Sequence, residues 1–166
     1  RATMFDIGVI GYGYWGPNIV RNFSSIEGAE VRSICDMNPQ SLSRARKMYP
    51  NIPATQNCEE VLNATDIDAV AVITPVSTHY ELAKRALENG KHVFVEKPMT
   101  ATIAQAEQLI ELAERKKLTI MVDHTFIFTG AVRKIKRLIE EKTLGDLYYY
   151  DSSRVNLGLF QSDVNV

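Results

Sequence analysis

Short runs of consecutive apolar residues alternate along the chain with stretches whose apolar positions recur every three or four residues. The runs at 5–10, 31–35, 69–73, 92–95 and 119–122 have strand lengths. Their near-continuous apolar character is that of strands covered on both faces. Between them, Leu82, Ala83, Ala86 and Leu87 make one helix face that ends at Gly90. Ile103, Ala106, Leu109, Ile110 and Ala113 make another. Helix starts are marked by Asn38 ahead of Pro39. Asn57 with Glu60, and Thr102 with Gln105, have capping-box spacing. Strands alternating with helices predict βαβ units around a parallel sheet, an α/β fold.

The pattern changes after residue 122. Residues 129–141 read as a basic amphipathic helix with Val132, Ile135, Leu138 and Ile139 facing inward. A loop, KTLGDL, follows, and then YYYDSSRV reads as a strand over 147–155 with aromatic residues at alternate positions. A helix and a single strand bury no core alone. Residues 125–166 are therefore expected to begin a second, incomplete α+β domain, after a first domain over 1–124.

With 166 residues, of which 45% are hydrophobic, the chain can fill a sizeable core. A net charge of -1 points away from nucleic acid or an anionic membrane surface as partner. No apolar run reaches membrane-span length and no secretory signal is visible, so a cytoplasmic setting is expected. Cys35 and Cys58 lack metal-ligand spacing, and no metal is expected; Cys35, inside an apolar run, reads as a small buried hydrophobe.

The chemistry begins where the first apolar run meets GYGYWGPN, residues 11–18. A strand precedes this G-x-G-x-x-G, a helix follows, and Asp36 stands at the end of the next strand, 20 residues beyond Gly16. Those parts in that order form the dinucleotide fingerprint of a Rossmann-type, doubly wound sheet. Gly11 permits a tight turn, Gly13 lets a pyrophosphate approach the backbone, and Gly16 lets the helix pack close. Pro17 starts a helix whose free N–H groups and dipole favour phosphate. Asp36 can accept from the adenosine ribose and repels a 2′-phosphate. Met37 and Asn38 supply no neutralising cation, so NAD is expected over NADP.

Two more motifs sit at strand ends: ITPVSTH at 73–79 and EKP at 96–98. With the glycine loop they resemble the glucose-fructose oxidoreductase / inositol dehydrogenase family (Gfo/Idh/MocA-type) of sugar dehydrogenases. DHTFIF at 123–128 is similar to that family's crossover into its second domain, and RVNLGLFQSDVNV at 154–166 to the start of its open-faced sheet. The wording of GYGYWGPN and RVNLG…DVNV looks closest to members acting on nucleotide-linked amino sugars, such as UDP-N-acetylglucosamine 3-dehydrogenases. The resemblance implies an NAD-dependent oxidoreductase moving a hydride between nicotinamide and a ring carbon of a sugar or nucleotide-linked sugar. It also implies association of copies through the open sheet, and a catalytic histidine in a motif expected beyond residue 166. The chain is then a truncated form, expected to bind NAD without turnover.

On the resemblance, Lys97 is the catalytic candidate: a cation at the carboxyl edge of the sheet that holds the reacting hydroxyl. The resemblance also suggests a cis bond between Lys97 and Pro98. Glu96 orients Lys97 or bonds a ribose. Thr74, Pro75 and His79 belong to a loop that the resemblance sets against the nicotinamide, although His79 also fits an ordinary helix-start histidine. Tyr14 and Trp15, with Tyr12, line the phosphate loop and either cover the cofactor or pack. His124 is a substrate contact or a hinge, and Arg154 and Asn156 are substrate contacts or an edge pair. Arg44, Arg46 and Lys47 read as a solvated face. A different class stays open: an NAD-binding regulator without turnover whose second domain binds a protein.

Overall fold

A computed structural model describes residues 4–153 and residue 155. The chain divides between His124 and Thr125 into two compact units. In the first, β1 (Phe5–Ile10), β2 (Ala29–Cys35), β3 (Ala54–Thr55), β4 (Ala69–Val72), β5 (His92–Val95) and β6 (Ile120–Val122) form one parallel sheet in the order β3-β2-β1-β4-β5-β6. The helices are α1 (Gly16–Ser24), α2 (Pro39–Met48), α3 (Cys58–Leu62), α4 (Val76–Glu88) and α5 (Ile103–Lys116).

The apolar runs become strands because both faces are covered. Residues that alternate along one strand enter different cores. Val70 and Val72 join Leu62, Leu87 and Leu109 beneath α3, α4 and α5. Ala71 and Ile73 join Val9, Val20, Ile34 and Ala45 beneath α1 and α2. Cys35 is buried, and burial pushes its thiol up to about 12, so it packs and does not attack.

Local signals place the helix starts. The Asn38 side chain accepts from the Gln40 N–H at 2.9 Å, and that of Asn57 from the Glu59 N–H at 3.1 Å. Thr102 caps the Gln105 N–H at 3.3 Å, but the buried Gln105 Oε1 has no partner, so only half of that capping box forms. The inward face of α5 is Leu109, Leu112 and Ala113, while Ile103 and Ile110 are exposed. The two-residue β3 escapes a pattern reading because it spans a single period of alternation, which leaves no repeat to detect. Its register is set by pairing of Ile34 with Ala54 and of Cys35 with Thr55.

In the second unit, Thr125–Phe128 form a 3-10 turn and Gly130–Glu140 form α6. Of the face expected to point inward, Ile135 and Ile139 are exposed while Val132 and Leu138 are partly buried. The expected strand over 147–155 is corrected: its described residues form no ladder, and Tyr148, Tyr149 and Tyr150 are exposed. A strand holds its shape only when a neighbour takes its N–H and C=O groups, and the described part of this unit supplies helix alone.

Candidate functional site

The chain leaves β1 for β2 on one side, while β4 lies on the other, so the strand order reverses at the carboxyl end of β1. A crevice at that point is where open α/β sheets take ligands. The glycine loop occupies it. Gly11 donates its N–H to the Cys35 carbonyl at 2.7 Å and has φ of 105°, and a Cβ there would lie 2.2 Å from the Ile73 oxygen. A Cβ on Gly16 would lie 2.4 Å from the Gly11 oxygen. Both positions are closed by backbone. Gly13 is the opposite case, with nothing within 4 Å of an added Cβ.

The N–H groups of Gly13 and Tyr14 make no hydrogen bond among the described residues. α1 begins just behind them, with Pro17 in its first turn and no acidic side chain there. Free donors, open space and a positive helix end together fit the pyrophosphate of a dinucleotide. Of the three aromatic residues, Tyr12 is core. Burial, with Tyr49 beside it, raises its phenol above the ordinary range. Tyr14 is 77% exposed and Trp15 41%, and their rings stack on each other at 6.4 Å.

Asp36 extends from the end of β2 to the loop. One carboxylate oxygen accepts the Tyr12 N–H at 2.6 Å and the other the Asn38 N–H at 2.7 Å. Each keeps a further lone pair for a ribose hydroxyl. The basic run on α2 is exposed at Arg44, Arg46 and Lys47, as expected, and two of its side chains also bond to the protein. Arg44 donates to the Ser41 hydroxyl at 3.2 Å and towards the Tyr12 carbonyl at 3.5 Å, and Arg46 donates to the Ala54 carbonyl at 2.8 Å. The signal for Arg44 was the spacing of three that puts it one turn from Ser41, which is buried.

The β4 and β5 loops lie at the same edge. Ile73 donates its N–H to the Ile10 carbonyl at 2.7 Å, and Glu96 to the Val72 carbonyl at 3.0 Å. Pro75 precedes α4, and the Thr74 hydroxyl accepts from that of Thr78 at 2.7 Å. His79 is 1% exposed, with Nε2 2.7 Å from the Thr74 oxygen and Nδ1 2.9 Å from the Pro98 oxygen. The Lys97–Pro98 bond is cis. Lys97 is exposed, and its N–H donates to the Glu96 carboxylate at 3.0 Å. Burial, then a hydrogen bond and charge from Asp123, push the Glu96 carboxyl up to about 7.

Asp123 had not been singled out from the sequence. It is the first residue beyond β6, and its N–H donates to the Val95 carbonyl at 2.9 Å, which brings it to the Glu96 side of the sheet. His124, next along, is exposed. Arg154 and Asn156 lie outside the described residues. No group of three or more metal-ligating side chains occurs among the described residues, and no described helix is long and apolar enough to cross a membrane. A cavity of about 670 Å³ lies at the opposite, amino end of the strands, beside Phe5, Asp68 and His92. It contains no part of the glycine loop.

The Gfo/Idh/MocA family model, described as an oxidoreductase family with an NAD-binding Rossmann fold, matches residues 5–124. The chain belongs to this family. The Gfo/Idh/MocA relatives include the oxidoreductase YdgJ of Escherichia coli strain K12, 31% identical over 146 residues, which cover 88% of this chain and 42% of YdgJ. Scyllo-inositol dehydrogenase from Lactobacillus casei, solved with bound NAD(H) and scyllo-inositol, superposes with a TM-score of 0.79 at 26% identity, covering 86% of this chain and 43% of that one. A variant of KijD10, a 3-ketoreductase from Actinomadura kijaniata in complex with TDP-benzene and NADP, superposes at 0.77 with 27% identity, covering 86% and 44%. The chain thus spans less than half the length of these Gfo/Idh/MocA proteins.

Proposed function

We propose that this chain is the cofactor-binding part of an NAD-dependent dehydrogenase acting on a sugar or nucleotide-linked sugar. The observation that carries the reading is the open space at Gly13 between two glycines closed by backbone, at the switch point of the sheet. Gly13 receives the pyrophosphate, and Asp36 holds the adenosine ribose and disfavours a 2′-phosphate. Thr74 and Pro75 border the nicotinamide end. Glu96, with Asp123 beside it, holds a proton near neutral pH and bonds a ribose hydroxyl or fixes Lys97.

When bound, NAD supplies the redox chemistry by taking or giving a hydride. Lys97 holds the substrate hydroxyl and stabilises the negative charge that develops on its oxygen. Proton removal needs a base within hydrogen-bond reach of that hydroxyl. The resemblance assigns this role to a histidine beyond residue 166. Two neighbours carry scyllo-inositol and TDP-benzene in their names, which supports a polyol or sugar-nucleotide substrate class. No observation favours the regulatory alternative.

Calorimetric titration of NAD and NADP into this chain tests the reading, with tighter binding of NAD expected. No binding of either, or equal binding of both, overturns it. A chain extended to the length of the relatives is then assayed on a panel of polyols, sugars and nucleotide sugars. Turnover there, absent from the 166-residue chain, is the expected outcome, and equal turnover by both removes the distant histidine from the scheme.

A further inference from the structure

The two ring nitrogens of His79 both face backbone carbonyl oxygens, that of Thr74 at 2.7 Å and that of Pro98 at 2.9 Å. A carbonyl only accepts, so each contact is a hydrogen bond only if the nitrogen donates. A neutral imidazole carries one N–H, whereas the imidazolium carries two. In the neutral ring, one nitrogen lone pair would face a carbonyl lone pair inside the protein. With the ring 1% exposed, water does not relieve that opposition.

We propose that His79 is a doubly protonated tie that locks the loop after β4 to the loop after β5, and so positions the two walls of the nicotinamide end. The second half of the proposal rests on the cofactor reading given above. The carbonyls receive the charge, since among the described residues no carboxylate forms an ion pair with the ring. Charged groups on the neighbouring elements are Glu96 and Lys97 after β5, Asp123 after β6, Glu81, Lys84, Arg85 and Glu88 on α4, and Glu107, Glu111, Glu114, Arg115 and Lys116 on α5. His79 is the fourth residue of α4, where the helix dipole opposes a cation. Burial opposes the charge as well, and two directed carbonyl acceptors at hydrogen-bond distance are set against both effects.

This arrangement makes His79 a positioning residue. One bond holds Thr74, which directly precedes Pro75 at the start of α4. The other holds Pro98, which directly follows Lys97. Neither loop has to contact the other for the imidazolium to fix their separation, and it spans them with a side chain that has few rotamers.

Two-bond proton–nitrogen NMR of the ¹⁵N-histidine-labelled, cofactor-free chain at neutral pH reads the ring directly. The chain has three histidines, and replacing His92 and His124 identifies His79 by elimination even if it tolerates no substitution. Both ring nitrogens in the protonated range is the expected result, and one pyridine-type nitrogen overturns the proposal. His79→Gln keeps only one donor nitrogen. It is expected to shift the amide signals of Thr74 and Lys97 and to weaken NAD about tenfold, with urea unfolding measured in parallel. A folded His79→Gln chain with unmoved Thr74 and Lys97 signals refutes the tie. One that binds NAD like the unmodified chain refutes the positioning role. If the unmodified chain takes no NAD, the cofactor reading fails by itself, while the ring nitrogens and the Thr74 and Lys97 signals still decide the tie.

Discussion

Alanine at Gly13 and at Gly11 should damage different properties of the chain. A methyl group at Gly13 meets nothing within 4 Å, and the residue does not have a left-handed φ. Alanine there restricts the unfolded chain and is expected to leave stability unchanged or raise it by about 0.4–1 kcal/mol. The same methyl occupies the space assigned to the pyrophosphate. Overpacking costs about 1–3 kcal/mol, which weakens NAD roughly 5- to 150-fold. Alanine at Gly11 sits at φ of 105° with its Cβ 2.2 Å from the Ile73 oxygen. Left-handed strain of about 1–3 kcal/mol adds to an overpacking cost of similar size, for a loss of about 2–6 kcal/mol. Against a total stability of about 5–15 kcal/mol, that brings the chain close to unfolding. With a urea slope of about 2 kcal/mol/M, a loss of 4 kcal/mol lowers the midpoint by about 2 M. Urea unfolding followed by circular dichroism, together with NAD calorimetry on both variants, provides the test. Wild-type NAD affinity in a fully folded Gly13→Ala chain would refute the placement of the pyrophosphate. Equal loss of stability in the two variants would refute the contrast between open and closed glycines.

Two further outcomes follow from the same edge of the sheet. Asp36→Ser with Met37→Arg removes the charge that disfavours a 2′-phosphate and adds one that favours it, so the ratio of NADP to NAD affinity measured by calorimetry should rise; an unchanged ratio places the discrimination elsewhere. For Glu96, the folded carboxyl titrates near 7 and the unfolded one near 4.5. Between those values the folded state binds more protons, so its stability falls as pH rises through this window. Glu96→Gln, which cannot ionise, should flatten that part of the stability–pH curve measured by urea unfolding, and an unaltered slope would show that Glu96 does not carry the proton.

The sheet and the glycine loop were legible because each rests on local rules. Phe5–Ile10 and His92–Val95 read as strands from apolar continuity and have those bounds in the structure. Gly11, Gly13, Gly16 and Asp36 follow from spacing, because phosphate approach needs absent side chains at fixed steps along one turn. What escaped depends on contacts between distant segments. Asp123 and Glu96 are 27 positions apart and meet only because β5 and β6 pair in register. Arg44 belongs to a basic run by composition, yet α2 turns it back towards the Tyr12 carbonyl. Ile110 fits the apolar periodicity of α5, but in the structure Leu112 is buried and Ile110 is exposed. The strand expected at 147–155 had alternation and no partner, and alternation alone makes no ladder.

Asp36 shows why the parts of such a site have to be read as one object. As a specificity residue it needs only to present a carboxylate towards a ribose. In the structure it also receives the Tyr12 N–H from inside the glycine loop and the Asn38 N–H ahead of α2. A charge-assisted bond to a backbone N–H is about twice as strong as a neutral one, so the carboxylate fixes the loop before any ligand arrives. The two N–H groups that follow, those of Gly13 and Tyr14, have no partner among the described residues, and on the proposed reading they are the donors to the pyrophosphate. On that reading the ribose subsite and the phosphate subsite are joined through the Asp36 side chain. A neutral residue at position 36 would loosen the loop as well as change the preferred nucleotide. Serine, too short to reach both N–H groups, should weaken NAD by more than the loss of one ribose contact.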